Sequence, residues 1–426
     1  MPLRILHIST RLILGGSQEN TVLSCEGQAR LGHRVHLAYG PIFGPEGSLL
    51  DRVKAFNARC ARGEETLPDG SRVCQIVLHE VPSLVREVSP IKDWLGFRQL
   101  KALIGMIRPD VVHTHSSKAG ILGRAAAWAM LKSHENPGAF SPPFMPIEGN
   151  GWTQFKTRCK NALYTRAEQF AAKRCHRIVS VADAMSKQFL DRDIGNPDLY
   201  TTVNSGMEVG TFATACAETT DRAKAAIGLS SERFVIGTVA RLAEHKGHDD
   251  ILNAMDERFA SRPEWALLWV GDGWWRTRLT QAAAAKGWEI ANLDRGERAG
   301  PSTRLVLTGL VPPEEVPGLM RAMDVLVHPS YREGLPRTVP QALLSQVCPV
   351  AYDVDGTGEV CREMETGRLV PLADIARLGD AILWCADQPL ARAALAARGQ
   401  AECKVRFSAE AMVESLEKVY AAALRL

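Results

Sequence analysis

The fold is most clearly indicated by residues 234–247, FVIGTVARLAEHKG, which have a counterpart in residues 325–336, VLVHPSYREGLP. In each segment an apolar run rich in β-branched residues precedes a charged, glycine-containing loop, and a helical pattern follows. Such units predict strands of one parallel sheet, whose loops meet at the carboxyl edge where open α/β sheets bind ligands. Arg241, Lys246 and Glu333 would lie at this edge. Two cations beside a carboxylate suit a diphosphate joined to a polyhydroxyl group, which is the chemistry of a sugar nucleotide.

Length and composition indicate a soluble protein of two domains. The 426 residues exceed what one core usually supports, and 46% hydrophobic with 23% charged residues is typical of globular proteins. No apolar run is long enough to span a bilayer, and the short apolar start predicts a first strand rather than a signal peptide. The ten cysteines show no Cys-x-x-Cys spacing, which favours free thiols in a reducing compartment. We therefore expect a cytoplasmic protein.

Charge is distributed unevenly along the chain. Residues 1–207 carry 26 Lys and Arg against 18 Asp and Glu, whereas the remainder carries 25 against 30. The helical segment 151–177 is basic and begins with Trp152 and Phe155, which is compatible with a peripheral position on an anionic membrane surface or with a solvated helix face. Nucleic acid is disfavoured as a partner, because no known binding module accompanies the charge.

Strand and helix signals alternate along the chain, which predicts an α/β fold with parallel sheets. In the first half we expect helices over 94–107, 118–132 and 156–175 and strands over 4–9, 34–39, 74–81, 111–115, 144–147 and 177–182. From residue 234 onward we expect strands over 235–239, 266–271, 305–308, 325–328 and 349–352. The polar stretch 207–231 predicts a linker, and residues 292–301 predict an exposed insertion.

Two loops of the first half have features of ligand contacts. Gly15 and Gly16 follow the first strand, where backbone amides suit an anion, although a plain tight turn accounts for them equally well. The chain contains no dinucleotide fingerprint and no phosphate-loop motif, which disfavours nicotinamide and ATP. His113 and His115 share one strand face, but no third metal ligand has a usable spacing. We interpret them as hydrogen-bonding partners of a substrate or a neighbouring loop, or as a structural pair.

Over nearly its full length the chain resembles the family-four retaining glycosyltransferases of GT-B fold, of the type that builds bacterial surface polysaccharides. The segments that carry the resemblance are residues 15–17, 81–87, 92–93, 113–124, 241–247, 270–273, 308–311, 333–336 and 355–360. The resemblance implies two facing Rossmann-like domains, residues 1–207 on the acceptor side and 208–407 on the nucleotide-sugar side. It also implies that the C-terminal helix, residues 408–426, packs toward the first domain.

The resemblance further implies roles for individual residues. Arg241 and Lys246 would hold the donor diphosphate in place of a divalent metal, and preorganised cations are worth most where charge grows on a leaving group. Glu333 would contact sugar hydroxyls and phosphate. The other implied donor contacts are Gly15, Gly16, Gly271, Leu310, Gly334, Leu335 and Gln341, and the implied acceptor-side residues are His115, Lys118 and Asn150. Neither a cofactor nor a metal is expected.

The sequence departs from the family pattern at two positions. Gln341 stands where the family has a second glutamate, and its amide oxygen can still accept a hydrogen bond, so we expect weakened rather than lost donor binding. Glu148 stands where the family has a histidine near the anomeric carbon. A carboxylate there can stabilise an oxocarbenium-like transition state or accept a proton. It can equally mark a member with altered or lost activity.

We therefore expect a metal-independent retaining glycosyltransferase that moves a sugar from a nucleoside diphosphate to a glycan or lipid-linked acceptor in glycan or surface polysaccharide assembly. The alternative is a catalytically silent GT-B protein that binds a nucleotide sugar or glycan, and it is motivated by Glu148 and Gln341. A sugar-nucleotide epimerase or a phosphorylase fits less well, because the acid/base groups of the first and the pyridoxal-binding lysine of the second are not identifiable here.

Overall fold

The computed structural model describes residues 2–42, 47–134, 162, 164–213 and 217–424. The chain forms two compact units, a first unit of Met1–Gly206 with Ala409–Leu426 and a second unit of Met207–Ser408. The sequence predicts domain boundaries after residues 207 and 407. Among the described residues, no helix is both long and apolar enough to cross a bilayer.

The first unit is built on a parallel sheet with the strand order β3-β2-β1-β4. Its strands are β1 (Arg4–Ser9), β2 (Arg34–Tyr39), β3 (Val77–Glu80) and β4 (Val111–His115), and β5 (Ile178–Ser180) pairs separately with β6 (Tyr200–Thr202). Its helices before residue 206 are α1 (Gly16–Arg30), α2 (Leu50–Arg62), α3 (Pro90–Ile107), α4 (Ser117–His134) and α5 (Asp183–Leu190). Residues 164–172 are also helical.

The second unit contains a larger parallel sheet with the strand order β13-β12-β11-β7-β8-β10-β9. Its strands are β7 (Phe234–Val239), β8 (Trp265–Val270), β9 (Glu289–Asn292), β10 (Thr303–Leu307), β11 (Val325–His328), β12 (Cys348–Asp353) and β13 (Arg368–Pro371). Its helices are α6 (Val209–Phe212), α7 (Ala217–Ala226), α8 (His248–Met255), α9 (Arg258–Ser261), α10 (Arg276–Ala285), α11 (Val316–Arg321), α12 (Thr338–Leu344), α13 (Ile375–Asp387) and α14 (Pro389–Arg406). The last helix, α15 (Ala409–Leu424), belongs to the first unit.

Helices cover both faces of the sheet in the first unit. Successive strand residues point to opposite faces of the sheet. Ile5 packs with α1 and α15 on one face, and Leu6 packs with α3 and α4 on the other. Helix α15 approaches α1 closely at Gly27, where an added Cβ would lie 2.5 Å from Val413 Cγ2. The C-terminal helix is therefore part of the core of the first unit.

The strand order of the second unit places a topological switch point between β7 and β11. These strands are adjacent in the sheet, and the chain leaves β7 toward β8 but returns to the opposite side of β7 at β11. Ligands of open α/β sheets bind at such points, beyond the carboxyl ends of the strands. Here those ends lead into residues 240–247 and 329–337.

One sequence prediction is wrong. The segment 207–231 is not a linker, because it contains α6 and α7, and Lys224 of α7 forms an ion pair with Asp324 at 2.9 Å. Within the expected exposed insertion at 292–301, residues 294–298 are exposed. The segment begins at the last residue of β9, an edge strand whose polar ends hid the strand pattern. The predicted strand 144–147 lies outside the described residues.

Candidate functional site

The switch point of the second unit brings Lys246 and Glu333 together. Lys246 Nζ lies 2.5 Å from Glu333 Oε1, and His328 Nε2 lies 3.1 Å from the same oxygen. The side chains of Lys246 and Glu333 are only 19% and 14% exposed. A carboxylate with a fixed position and two nitrogen partners therefore stands at the ligand-binding edge of this sheet.

The two loops that carry this pair are joined to each other by hydrogen bonds. Tyr331 N and Ser330 Oγ both donate to the carbonyl oxygen of His245, at 2.9 and 3.1 Å. Gly247 has a left-handed backbone, and an added Cβ would lie 2.0 Å from the carbonyl oxygen of Pro329. Only glycine permits this close approach. The relative position of Lys246 and Glu333 is thus set by backbone contacts.

A third loop, after β12, supports Glu333. Asp355 adopts a left-handed backbone with φ 49°, and its Oδ2 accepts the backbone N–H of Glu333 at 2.6 Å. Gly356 N also donates to the carbonyl oxygen of Gly334 at 3.1 Å. The sequence predicted no site role for Asp355 or His328. Residues 355–360 follow a predicted strand and are one of the segments that carry the family resemblance, and this position could have identified Asp355.

Arg241 lies beside the loop that follows β8. Its guanidinium carbon is 5.6 Å from the ring centroid of Trp274, a side chain that is 67% exposed. The two loops are joined because Leu242 N donates to the carbonyl of Asp272 and Trp275 N donates to the carbonyl of Leu242, both at 3.1 Å. Trp274 is a third residue for which the sequence predicted no site role.

Lysine, arginine and carboxylate side chains carry the charge of the site at neutral pH, because His245 and His248 are neutral. Burial, and then the positive charge of Lys246, lower the pKa of His245 to about 4 and that of His248 to about 3, so both imidazoles are neutral. Burial by itself raises the pKa of Glu333, but the charge of Lys246 and the hydrogen bond from His328 outweigh it and hold this pKa well below its usual value. The positive charges of Lys246, Arg332 and Arg241 act on His245, and the carboxylates of Glu244, Glu333 and Asp355 act on Arg332, so the site contains cations and carboxylates side by side.

The remaining predicted donor residues follow strands of the same sheet. Gly271 follows β8 and donates its N–H to the carbonyl of Gly309 at 3.1 Å, and Leu310, next in the chain, is 58% exposed. Leu335 is buried in the loop before α12, and Gln341 is half-buried on α12. Glu148 and Asn150 lie outside the described residues.

In the first unit the predicted residues lie at the carboxyl ends of β1 and β4. Gly15 caps α1 with an extended backbone, and Gly16 is the first residue of that helix. Lys118 forms an ion pair with Asp93 at 2.5 Å and donates to the carbonyl of Glu87. Its side chain is 14% exposed. His115 is buried, with 4% of its surface exposed.

His115 belongs to a buried cluster of three histidines that the sequence reasoning missed. The parallel register of β1 and β4 pairs His7 with His113, so the expectation that no third ligand accompanies His113 and His115 is wrong. The candidate ligand atoms of the three residues lie within 4.8 Å of one another. The signal in the sequence was His7 of β1, which lies at the position that pairs with His113 of β4.

The contacts within the cluster form hydrogen-bonded chains. His7 Nδ1 lies 2.8 Å from His115 Nε2, and His7 Nε2 lies 2.7 Å from Gln28 Oε1. His113 Nδ1 lies 2.6 Å from the hydroxyl oxygen of Tyr420 on α15. Burial lowers the pKa of His7 to about 4 and holds the pKa values of His113 and His115 well below the usual value. The cluster is therefore neutral at pH 7 and connects the end of β4 to α1 and α15.

Two models of known protein families match this chain, and both describe glycosyltransferases. The model described as "Glycosyl transferase 4-like domain" matches residues 15–204, and the model "Glycosyl transferases group 1" matches residues 233–388. Together they match most of the chain. The chain therefore belongs to the family-four glycosyltransferases, as the sequence resemblance predicts.

Individual relatives agree with this family. The chain is 28% identical over 295 residues to the 2-deoxystreptamine N-acetyl-D-glucosaminyltransferase of Streptomyces fradiae. The aligned region covers 65% of this chain and 63% of that protein. It is 27% identical over 298 residues to the UDP-Gal:alpha-D-GlcNAc-diphosphoundecaprenol alpha-1,3-galactosyltransferase of Escherichia coli, covering 69% of this chain and 71% of that protein. The match thus spans less than two thirds of the Streptomyces protein.

A solved structure confirms the fold class. Anabaena Alr3699/HepE in complex with UDP and glucose matches with a TM-score of 0.75 over 99% of this chain and 100% of that chain, at 16% sequence identity. At that identity the likeness concerns the fold alone. The prediction of a GT-B fold with two Rossmann-like domains and parallel sheets is confirmed.

Proposed function

We propose that this protein is a metal-independent retaining glycosyltransferase that transfers a sugar from a nucleoside diphosphate to an acceptor in glycan or surface polysaccharide assembly. The observation that carries the proposal is the ion pair of Lys246 with Glu333, held with Arg241 at the switch point of the second unit. The Escherichia coli relative supports this class of donor and acceptor, since its name specifies UDP-Gal and a diphosphoundecaprenol-linked sugar.

Lys246 and Arg241 provide the positive charges that would bind the donor diphosphate. Lys246 has three N–H donors, of which one reaches Glu333, so its ammonium group can also bind a phosphate oxygen. Arg241 adds a planar guanidinium, which suits bidentate binding of phosphate. As the glycosidic bond breaks, negative charge grows on the diphosphate, and these two cations neutralise it in the role that a divalent metal has elsewhere.

Glu333 is suited to the sugar rather than to the phosphates. The low pKa of its carboxyl group keeps it ionised throughout the physiological range, and an ionised carboxylate accepts hydrogen bonds only. Sugar hydroxyls are donors of this kind. Glu333 would thus orient the sugar while Lys246 and Arg241 hold the leaving group, and Glu148 remains our candidate for a group near the anomeric carbon.

We place the acceptor on the first unit and the protein at the cytoplasmic face of a membrane. Gly15 follows β1, His115 ends β4 and Lys118 follows it, and the carboxyl ends of these two strands form the switch point of that sheet. His115 is buried and engaged by His7, so we assign it the role of supporting the turn that leads into α4, the helix that carries Lys118. A lipid-linked acceptor would bring the enzyme to an anionic membrane surface.

A donor screen tests the proposal. The purified protein is melted with a panel of nucleoside diphosphate sugars, and release of the nucleoside diphosphate is followed with magnesium and with EDTA. We expect one donor to raise the melting temperature selectively and to be turned over equally in EDTA. Stabilisation without release, in the presence of candidate acceptors, would instead identify a silent binding protein, and release that requires magnesium would contradict metal independence.

A further inference from the structure

Helix α3 of the first unit has apolar residues on both its inner and its outer face. Leu100 and Ile104 are buried in the core between the sheet and α4. On the outside, Ile91 is 75% exposed, Trp94 is 56% exposed and Met106 is 69% exposed. Several large apolar side chains on one exposed helix face have the composition of a surface that is covered by a partner.

The exposed apolar residues form a row on one face of the helix, which Arg98 interrupts. Ile91, Trp94, Leu95, Ala102 and Met106 recur at spacings that place them on this face. Val88, just before the helix, extends the row and is 56% exposed. Single exposed apolar residues are ordinary, but several on one face beside polar residues mark an interaction site.

The border of this row is positively charged. Lys92, Arg98 and Lys101 are exposed, and the Arg98 guanidinium carbon lies 4.9 Å from the ring centroid of Trp94. The acidic residue of α3, Asp93, is turned away and forms an ion pair with Lys118 at 2.5 Å. The outer face of α3 therefore offers cations and apolar groups without a carboxylate.

A basic pocket lies at the C-terminal end of the same helix. It is lined by Arg4, Arg34, His36, His79, Met106 and Ile107. His36 Nδ1 lies 3.0 Å from His79 Nε2, and Arg4 Nη1 donates to the carbonyl of Ile107 at 2.5 Å. Because Met106 belongs both to the pocket and to the outer face, the basic pocket continues the row of exposed residues. Burial, and then the charges of His79 and Arg4, lower the pKa of His36 to about 4, so the positive charges of the pocket at neutral pH are those of Arg4 and Arg34, which suit a phosphate group.

We propose that the outer face of α3 and this pocket dock the protein on an anionic phospholipid membrane. Ile91 and Trp94 would enter the headgroup region, the cations of α3 would face lipid phosphates, and the pocket would hold one headgroup. A second copy of this chain is a poorer occupant, since a two-fold interface would place the cations of one α3 against an identical face that has no carboxylate to pair with them. The proposal rests on the proposed function, in which the acceptor is lipid-linked.

Vesicle binding tests this surface without donor or acceptor. The full chain is floated with vesicles of phosphatidylcholine alone or with a third of phosphatidylglycerol. We expect binding to the anionic vesicles, and roughly thirtyfold weaker binding for Arg98→Gln with Lys101→Gln, from about 1 kcal/mol per cation near the surface. Ile91→Glu with Trp94→Glu should abolish binding. The control is Leu390→Glu, a residue of the second unit that is 88% exposed, and it should bind like the wild type.

Three results would overturn the proposal. One is no binding of the wild type to anionic vesicles, another is equal binding by all variants, and the third is a wild-type dimer that the α3 variants convert to a monomer. Donor-induced stabilisation is measured on the same variants and should be unchanged. If the wild type binds no donor, the proposed function is contradicted. If it binds a donor but not anionic vesicles, only the assignment of α3 is contradicted.

Discussion

Replacing Lys246 by methionine tests both the charge and the structural role of the ion pair. Lys246→Met keeps most of the side-chain stem but removes the ammonium group from a position 2.5 Å from Glu333. We expect turnover to fall by about a hundredfold or more, as it does when one preorganised charge-stabilising donor is removed. The measurement is the rate of nucleoside diphosphate release in EDTA.

The same substitution leaves a largely buried carboxylate with His328 as its nearest partner. Breaking a buried pair costs about 3–5 kcal/mol, and because both side chains are partly exposed we expect about 2–3 kcal/mol here. For a unit of this size that corresponds to roughly 5–10 °C in melting temperature. The pKa of Glu333 should also rise, since Lys246 is the main group that lowers it against the effect of burial.

A double variant separates the two roles. Adding Glu333→Gln to Lys246→Met removes the uncompensated charge, so the melting temperature should return most of the way to the wild-type value, while turnover stays low. Turnover within about threefold of the wild type in Lys246→Met would refute the assignment of Lys246 to the diphosphate, because the expected transition-state loss is much larger. A double variant no more stable than Lys246→Met would refute the electrostatic account of the pair.

Four other outcomes are expected. Trp274→Ala should lower turnover by about fivefold through loss of a cation–π contact worth about 1 kcal/mol. Its melting temperature should be unchanged because the side chain is 67% exposed, and an equal effect of Trp94→Ala on turnover would contradict this. Gly247→Ala should destabilise the second unit by more than about 1 kcal/mol, since its Cβ would lie 2.0 Å from Pro329 O; a wild-type melting curve would contradict the close approach. Gln341→Glu should lower the donor KM if a carboxylate binds the ribose better than an amide, and a higher KM would count against that position. The pKa of His7 in the folded protein is about 4, below its value in the unfolded chain, so the unfolded chain binds more protons. The free energy of unfolding should therefore fall by up to about 3 kcal/mol as the pH decreases from about 6.5 to about 4. Urea unfolding across this pH range is the measurement, His7→Asn should show a shallower slope, and a flat wild-type profile would contradict the prediction.

The sequence was sufficient for features that depend on local pattern and strand order. Strands β1, β2, β4 and β11 have the predicted bounds, because each is a β-branched, apolar run between turn residues. The meeting of Lys246 with Glu333 followed from topology, since both lie beyond the ends of adjacent parallel strands.

Features that depend on register or on long-range packing could not be read in this way. The histidine cluster requires the pairing of His7 with His113 across two strands far apart in sequence. The support of Glu333 by Asp355 depends on a third loop with a left-handed backbone residue. Strand β9 was missed because an edge strand with polar ends lacks the alternation that identifies buried strands.

The binding mode of the diphosphate is best examined by a crystal structure of the protein with a nucleoside diphosphate, grown in the presence of magnesium. We predict that the phosphate oxygens lie within hydrogen-bonding distance of Lys246 Nζ and the Arg241 guanidinium, with no metal ion between them and the protein. A diphosphate bound at other loops, or bridged to carboxylates by a metal ion, would contradict the proposed site and its metal independence.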